Sequence, residues 1–208
     1  MTAEGRPPEF PSGQSARTSL SLRISSLDMA FENPQEEVMY INALCKVTEP
    51  IIHRNSGTIA DIFSGDYTRA FFGVFPGQTD HILQAVTTAL ELREALVDFQ
   101  EIKWQVRFGI GVNTGEVVHG NIGSPEQLHY GISGQPGRQA DFLAEAAASN
   151  VRSNLMIGEN TLKALPENYL RAELFLLQTP RSTIRTYIVF GLQESESFHP
   201  LFGILGKG

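Results

Sequence analysis

The chain has little cysteine, little clustered positive charge and no long hydrophobic run. Its single cysteine, Cys45, excludes an internal disulfide. We interpret it as a small buried hydrophobic residue of a helix in a reducing compartment, with a reactive thiol as the alternative. The Lys and Arg residues are scattered singly and the formal net charge is -7, which argues against a nucleic-acid partner.

Segments that would cross or enter a membrane are also missing from the sequence. No apolar run approaches the ~20 residues that span a bilayer, and residues 1–10 lack the apolar core of a secretory signal. No Asn-x-Ser/Thr glycosylation acceptor is present either. We therefore expect a soluble, cytoplasmic or intracellular protein with no membrane segment in this chain.

What the sequence does contain is the composition of one ordinary globular domain with short tails. Residues 1–17 are rich in Pro, Gly, Ser and charged residues, so we expect a flexible N-terminal arm. Residues 193–208 mix charge, Pro and Gly and are predicted to form a C-terminal tail. The folded domain is therefore predicted to span residues 18–192.

Hydrophobic periodicity predicts an alternation of strands and helices. A helix over residues 34–53 is expected to begin at Asn33 and to kink or end at Pro50. Two short strands flank the turn composition Ser64-Gly65-Asp66-Tyr67. The other predicted elements are a strand at 19–25, helices at 79–99, 139–148 and from 158, and strands at 128–133, 153–157, 171–177 and 183–190.

A hairpin over residues 104–118 is the most informative predicted element. Trp104, Val106, Phe108 and the following apolar residues alternate with small or polar ones, and 113–115 (Asn-Thr-Gly) is expected to turn the chain before Val117. Together the elements predict an α+β fold around a ferredoxin-like β-α-β-β-α-β core, with an antiparallel-rich sheet and helices packed on one face.

Two segments carry a resemblance to a known family. The hairpin continues into G-N-I-G-S-P-E-Q-L-H-Y, which resembles the G-N-I-G-S-x-x-R-x-x-Y of class III adenylate and guanylate cyclase domains. The segment S-G-T-I-A-D-I-F-S-G-D-Y-T-R-A-F-F-G resembles that family's G-G-x-x-D-K-x-x-G-D-x-x-M-A-x-F-G. The resemblance covers roughly residues 19–192. It implies a nucleotidyl cyclase-type fold and a head-to-tail dimer with active sites at the interface.

The resemblance also implies where metal ions would bind. Family members hold two metal ions with two Asp carboxylates, and paired cations stabilise the attacking and leaving oxygens. Asp66 falls on the second metal position, but Ser26 falls on the first. Asp28 lies two residues farther, which in an extended segment is a displacement of about 6–7 Å. Asp66 is thus a vestigial metal ligand by resemblance, and a turn residue by composition.

The positions that would contact the nucleotide are also altered. The purine-contacting positions fall on Ile62 and Gly131, which cannot hydrogen-bond a base edge through their side chains. The pattern G-D-x-V-N-x-A-x-R-L aligns with G-Q-P-G-R-Q-A-D-F-L, so Arg138 replaces the ribose-orienting Asn and Phe142 replaces the phosphate-clamping Arg. Arg138 is either a weak phosphate contact or a solvated arginine.

Three other polar residues are interpreted as structural. His119 and His129 lack the paired spacing of a metal site. Glu116 fits a hairpin or dimer contact better than an acid catalyst.

Three functions fit these residues. The first is a catalytically inactive cyclase-homology domain that acts as a scaffold, dimerisation or regulatory module, with no cofactor expected and no catalytic residue. Its partner would be a second copy, another cyclase-type domain or a larger assembly. The second is an active adenylate or guanylate cyclase that uses ATP or GTP with Mg or Mn, alone or with a competent partner. The third is a module that senses a nucleotide without chemistry.

Overall fold

The protein is represented by a computed structural model that describes residues 12–25, 33–61, 67–102, 107–124, 127–179 and 182–193. The elements in chain order are β1 (Gly13–Ser25), α1 (Pro34–Arg54), β2 (Thr58–Asp61), β3 (Tyr67–Phe72), α2 (His81–Ile102), β4 (Arg107–Ser124), β5 (Gln127–Ser133), α3 (Gln135–Ala148), β6 (Leu155–Gly158), α4 (Glu159–Ala164), β7 (Leu170–Gln178) and β8 (Thr183–Leu192).

The strands form one sheet in the order β2-β3-β1-β4-β6-β8-β7, and β5 pairs with the far end of β4. Every strand pair that the structure describes is antiparallel except β4 and β6. The predicted α+β fold with an antiparallel-rich sheet is therefore confirmed. Among the helices of the described residues, none combines the length and the apolar composition needed to cross a membrane.

The domain begins earlier than predicted. β1 starts at Gly13, so residues 13–17 belong to the sheet and not to the N-terminal arm. They pair with residues 115–119 of β4, which gives these polar residues backbone partners that composition alone does not reveal. The rest of the predicted arm, residues 1–11, and the tail after residue 193 lie outside the described residues.

α1 begins where the sequence predicts. The Asn33 side chain accepts a hydrogen bond of 3.0 Å from the backbone N–H of Glu36, and Pro34 fills the first turn, where a missing N–H costs nothing. The prediction that the helix could end at Pro50 is wrong, because α1 continues to Arg54. Ile51 and Ile52 are buried beyond the proline, and this packing holds the last turn in place.

The hairpin turn was predicted at the wrong place. β4 runs without interruption from Arg107 to Ser124, and β1 pairs with it from residue 107 to residue 119. The true hairpin is formed by β4 and β5, which pair from Val118 with Ser133 to Ser124 with Gln127. Asn113 and Thr114 are buried within the strand and do not turn the chain.

The glycines of β4 serve a close approach of helix α3. A Cβ on Gly111 would lie 2.1 Å from the backbone oxygen of Ala140, and one on Gly109 would lie 2.0 Å from that of Ala144. A Cβ on Gly115 would lie 2.8 Å from Cγ of Pro136. The composition that suggested a turn therefore reflects the packing of α3 directly on the strand.

The two long helices share one face of the sheet, as predicted, and α3 packs on the opposite face. Alternate residues of each strand point to opposite faces. The buried residues on the side of α1 and α2 include Leu20, Leu22, Phe72, Val86, Leu92, Leu96, Ile110 and Val112. On the side of α3, a smaller cluster joins Leu143 and Ala147 to Met156 and Ile188.

α3 starts four residues before its predicted position at 139. Pro136 and Gly137 lie in its first turn, and both are buried. A proline in the first turn loses no intrahelical hydrogen bond, and a glycine allows close packing against the sheet. Because α3 starts early, residues 138–142 all lie within the helix.

Candidate functional site

In sequence, the family's nucleotide and metal positions fall on α3, on β5 and on residues just after β1 and β2 or just before β3. Four of the predicted positions, Ser26, Asp28, Ile62 and Asp66, lie outside the described residues. Gly131 lies on β5, paired with Gly120. The structure therefore describes the α3 side of the candidate site and the two strands that lead to its metal positions.

Arg138 and Phe142 lie one helical turn apart on α3, and both side chains are exposed. The Phe142 side chain is 42% exposed, which is unusual for a large aromatic residue. Residues spaced by four on a helix share a face, so these two side chains form one surface. A phenyl ring offers no hydrogen-bond donor, so Phe142 cannot clamp a phosphate.

A polar network joins α3 to the sheet beside this surface. Arg69 of β3 donates from Nε to Asp141 Oδ1 at 3.2 Å and from Nη2 to Asp141 Oδ2 at 2.6 Å. Ser21 of β1 donates its hydroxyl to the same Oδ1 at 2.8 Å. Both oxygens of Asp141 thus accept hydrogen bonds from Arg69. The exposed fraction of the side chain is 33% for Arg69 and 24% for Asp141.

A second arginine lies farther along β1 on the same face. Arg23 donates a hydrogen bond to the hydroxyl of Tyr67 and lies 3.9 Å from Glu145 of α3. Arg23 and Tyr67 are paired across β1 and β3, three residues before Ser26 and one residue after Asp66. The strands that lead to the two metal positions therefore carry guanidinium groups on the face of α3.

The family's two metal positions keep one of the two carboxylates that the resemblance implies. Asp66 is the one carboxylate at a family metal position, because Ser26 replaces the other. The described residues contain no group of three or more His, Cys, Asp or Glu side chains that could hold a metal ion. Asp141 and Glu145, two carboxylates of α3, lie beside Arg69 and Arg23.

The other residues considered from sequence lie away from α3. His119 is buried, with Nε2 at 3.3 Å from the Ser15 hydroxyl, and Glu116 accepts a hydrogen bond of 3.2 Å from Gln14. Both residues therefore hold β4 against β1. The side chain of His129 lies outside the described residues.

Cys45 is only partly buried on α1, not fully buried as predicted. Burial and then a hydrogen bond with Glu49 raise the pKa of its thiol, so the thiolate is disfavoured.

Sequence reasoning missed the ion pair between Arg69 and Asp141. The two residues are 72 positions apart, and no local periodicity connects them. A signal was nevertheless present, because Arg69 occupies the Met position of the cyclase pattern and Asp141 precedes Phe142 in the altered α3 segment. The sequence signal was thus a positive residue, Arg69, and a negative residue, Asp141, in the two segments that align with the family pattern.

The comparisons with known proteins agree with this architecture. Residues 24–190 match the family model described as the adenylate and guanylate cyclase catalytic domain. The chain belongs to this family. The uncharacterized protein Rv1320c of Mycobacterium tuberculosis is 31% identical over 147 residues, which is 70% of this chain and 25% of that protein. Rv1319c from the same organism is 30% identical over 146 residues. The chain thus spans about a quarter of these relatives.

Solved cyclase structures share the fold. The guanylyl cyclase Cya2 is 25% identical, with a TM-score of 0.75 and coverage of 89% of this chain and 97% of that one. The adenylyl cyclase CyaB from P. aeruginosa is 19% identical, with a TM-score of 0.73 and coverage of 91% and 100%. The predicted family and fold are therefore confirmed, and the similarity to CyaB concerns the fold alone.

Proposed function

We propose that this chain is a catalytically inactive cyclase-homology domain that acts as a dimerisation or regulatory module in cyclic-nucleotide signalling. The observation that carries this proposal is the surface of α3, where an exposed Phe142 replaces the phosphate-clamping Arg that the family pattern has there. A cyclase must stabilise the charge that develops on the phosphate, and a phenyl ring supplies neither charge nor donor.

The arginines of β1 and β3 support the same proposal. Arg23 and Arg69 bring positive charge to the strands that lead to Ser26 and Asp66. Because these arginines pair with Asp141 and Glu145, the two carboxylates of α3 are engaged and do not replace the metal ligand that Ser26 lacks. Asp141 and Glu145 neutralise these arginines internally, which makes the network a stable part of the fold without a metal.

The exposed Phe142 also suits a contact with a second cyclase-type domain. Exposed aromatic side chains are enriched at protein interfaces, where they supply apolar area with little loss of conformational freedom. The guanylyl cyclase domain of the Blastocladiella emersonii RhoGC fusion protein, which shares the fold, is described as dimeric. A homodimer or heterodimer through α3 would use Phe142 as an anchor in place of a phosphate clamp.

A turnover assay tests the loss of catalysis. Purified protein is incubated with ATP or GTP and Mn²⁺ or Mg²⁺, alone and mixed with a competent cyclase domain. We expect no cyclic nucleotide from the protein alone, and none from its mixtures beyond what the competent domain makes. Production that Asp66→Ala abolishes and that Asp98→Ala, an exposed control on α2, leaves intact would overturn the proposal.

Sedimentation equilibrium tests the dimerisation role. Phe142→Glu is expected to weaken self-association, or association with a cyclase-type partner, by at least about tenfold, because a buried unpaired charge is costly. Leu176→Glu on β7 is the matched control, since Leu176 is 54% exposed and alternates with Phe175 and Leu177, which pack on the side of the sheet that α3 covers. Equal effects of both substitutions, or a protein that stays monomeric alone and with cyclase domains, contradict this role.

A further inference from the structure

A polar cleft lies on the other flank of α3, away from the Arg69–Asp141 pair. It has a volume of about 330 Å³ and is bounded by β4, α3, the junction of β6 with α4, and β8. Its lining includes Asn113, Gln139, Leu143, Glu159, Asn160 and Arg185. On this flank α3 packs against Met156 and Ile188. None of Gly131, Arg138 and Phe142 lines the cleft, and its volume is within the range of small-molecule sites.

The floor of the cleft is rigid. Asn113 is 6% exposed and donates from Nδ2 to Gln139 Oε1 at 2.7 Å. A Cβ on Gly158 would lie 1.9 Å from Asn113 Oδ1, so the glycine leaves room for this buried amide. Leu143 is 1% exposed and completes the floor with an apolar surface. Four elements therefore hold the cleft in shape before any ligand arrives.

The rim presents hydrogen-bond donors. Because Gln139 Oε1 accepts from Asn113, the Nε2 group of Gln139 carries the two N–H donors on its other side. Within the described residues, neither this Nε2 group nor the Asn160 side chain has an acceptor, and both residues line the cleft. Arg185 pairs with Glu159 through Nε at 3.3 Å and also hydrogen-bonds Tyr187, which leaves further N–H donors of its guanidinium for a ligand.

The two charged residues that line the cleft, Glu159 and Arg185, balance each other, and Lys163 outside the lining adds a positive charge beside Glu159. Lys163 lies 3.0 Å from Glu159, and Arg185 contacts the same carboxylate oxygen, so two cations share one anion. A hydrogen bond with Tyr187 and the charge of Glu159 raise the pKa of Arg185, so its guanidinium stays protonated. Surplus positive charge beside free N–H donors selects an anionic ligand rich in acceptors.

We propose that this cleft binds a small organic carboxylate. Its carboxylate group accepts hydrogen bonds from Arg185 and from Nε2 of Gln139, and its apolar body packs against Leu143 and Ile184. The size of the cleft exceeds that of an inorganic oxyanion, and the apolar floor gives an organic ligand an additional contact. An Arg fork fits the two oxygens of a carboxylate in one plane.

Benzoate is a suitable probe, with benzamide as its neutral counterpart and inorganic phosphate as an anion without an apolar body. Each is titrated into the ¹⁵N-labelled protein, and the side-chain amide signals of Asn113, Gln139 and Asn160 are followed by NMR. We expect benzoate to shift these signals with a dissociation constant at or below about 1 mM. Benzamide and phosphate are expected to bind at least about tenfold more weakly.

Two variants locate the anion. Arg185→Gln is expected to weaken benzoate binding at least about tenfold, whereas Arg152→Gln, which breaks a comparably exposed ion pair with Glu173, leaves it unchanged. Asn160→Asp adds a repelling charge in the first turn of α4, where an acidic residue does not harm folding, and is expected to weaken binding several-fold.

Three outcomes overturn the proposal. The first is the absence of benzoate shifts at these three amides. The second is benzamide or phosphate binding as tightly as benzoate. The third is benzoate binding unchanged in Asn160→Asp, which decides the question even if Arg185→Gln does not fold.

Discussion

One strand presents two different surfaces to the helices on either side of the sheet. Toward α1 and α2, β1 presents Leu20 and Leu22, which are fully buried among apolar side chains. Toward α3, the same strand presents Ser19 and Ser21, which are equally buried, and Ser21 donates its hydroxyl to Asp141. The two faces are thus similarly buried, but apolar contact holds one and close backbone packing with polar pairs holds the other.

The two faces of the sheet therefore differ in the substitutions that they tolerate. Apolar cores tolerate substitutions that conserve volume, because burial of apolar area is not directional. The α3 face depends on defined backbone distances and on bonded charges, so a change to one residue leaves its partner in a clash or without a hydrogen bond. The glycines of β4, which allow α3 to pack closely, are present. Arg138 and Phe142, which lie on the surface of α3, differ from the family pattern.

The largest expected effect comes from filling the contact between β4 and α3. Gly111→Ala would place a Cβ 2.1 Å from the backbone oxygen of Ala140, which forces the helix away from the strand. We expect a loss of about 3 kcal/mol in the free energy of unfolding, measured by urea denaturation.

Gly13→Ala in β1 is the matched control, because the nearest atom to its Cβ would be 3.9 Å away. Equal stabilities of the two alanine variants would show that α3 is not pressed against β4.

A smaller effect is expected from the polar pair on the same face. Arg69→Met leaves Asp141 without its bidentate partner, and we expect a loss of about 1–2 kcal/mol. The double variant Arg69→Met with Asp141→Ala removes both charges and is expected to recover most of that stability.

Urea denaturation of the two single variants and the double variant completes this thermodynamic cycle. Additive losses in the double variant would mean that the pair is not energetically coupled. The polar description of this face would then be wrong.

The sequence predicted the apolar face better than the α3 face for a physical reason. Strand and helix periodicity is a local pattern, so the alternation around Leu20 and the spacing along α1 are visible without the fold. Contacts such as Arg69 with Asp141 join segments 72 residues apart and leave no periodic trace. The resemblance supplied the family and the positions of Arg138 and Phe142, whereas the network beside them required the structure.

The misplaced hairpin shows a limit of composition as a signal. The residues at 113–115 (Asn-Thr-Gly) have turn composition, but Asn113 and Thr114 bond to Gln139 and to Thr18 inside a continuous strand. Gly115 makes room for Pro136. A glycine that permits a turn also permits a close approach, and local sequence does not distinguish the two uses.

The smallest expected effect concerns His81, a titratable residue on the face of the sheet that α1 and α2 cover. His81 opens α2, and its Nδ1 lies 2.9 Å from the Thr18 hydroxyl. Burial, and then the charge of Arg17, lower the pKa of His81 below its usual value, so the folded state favours the neutral ring. Below about pH 6.5 the unfolded chain takes up a proton that the folded state resists, and stability falls as the pH drops toward the folded pKa.

Denaturation at pH 7.5 and pH 5.5 should therefore show a larger loss in the unsubstituted protein than in His81→Gln, which keeps a polar side chain that cannot titrate. Parallel losses in the two proteins would indicate that His81 is hydrated like a surface histidine and that the apolar side has no titrating group at this point.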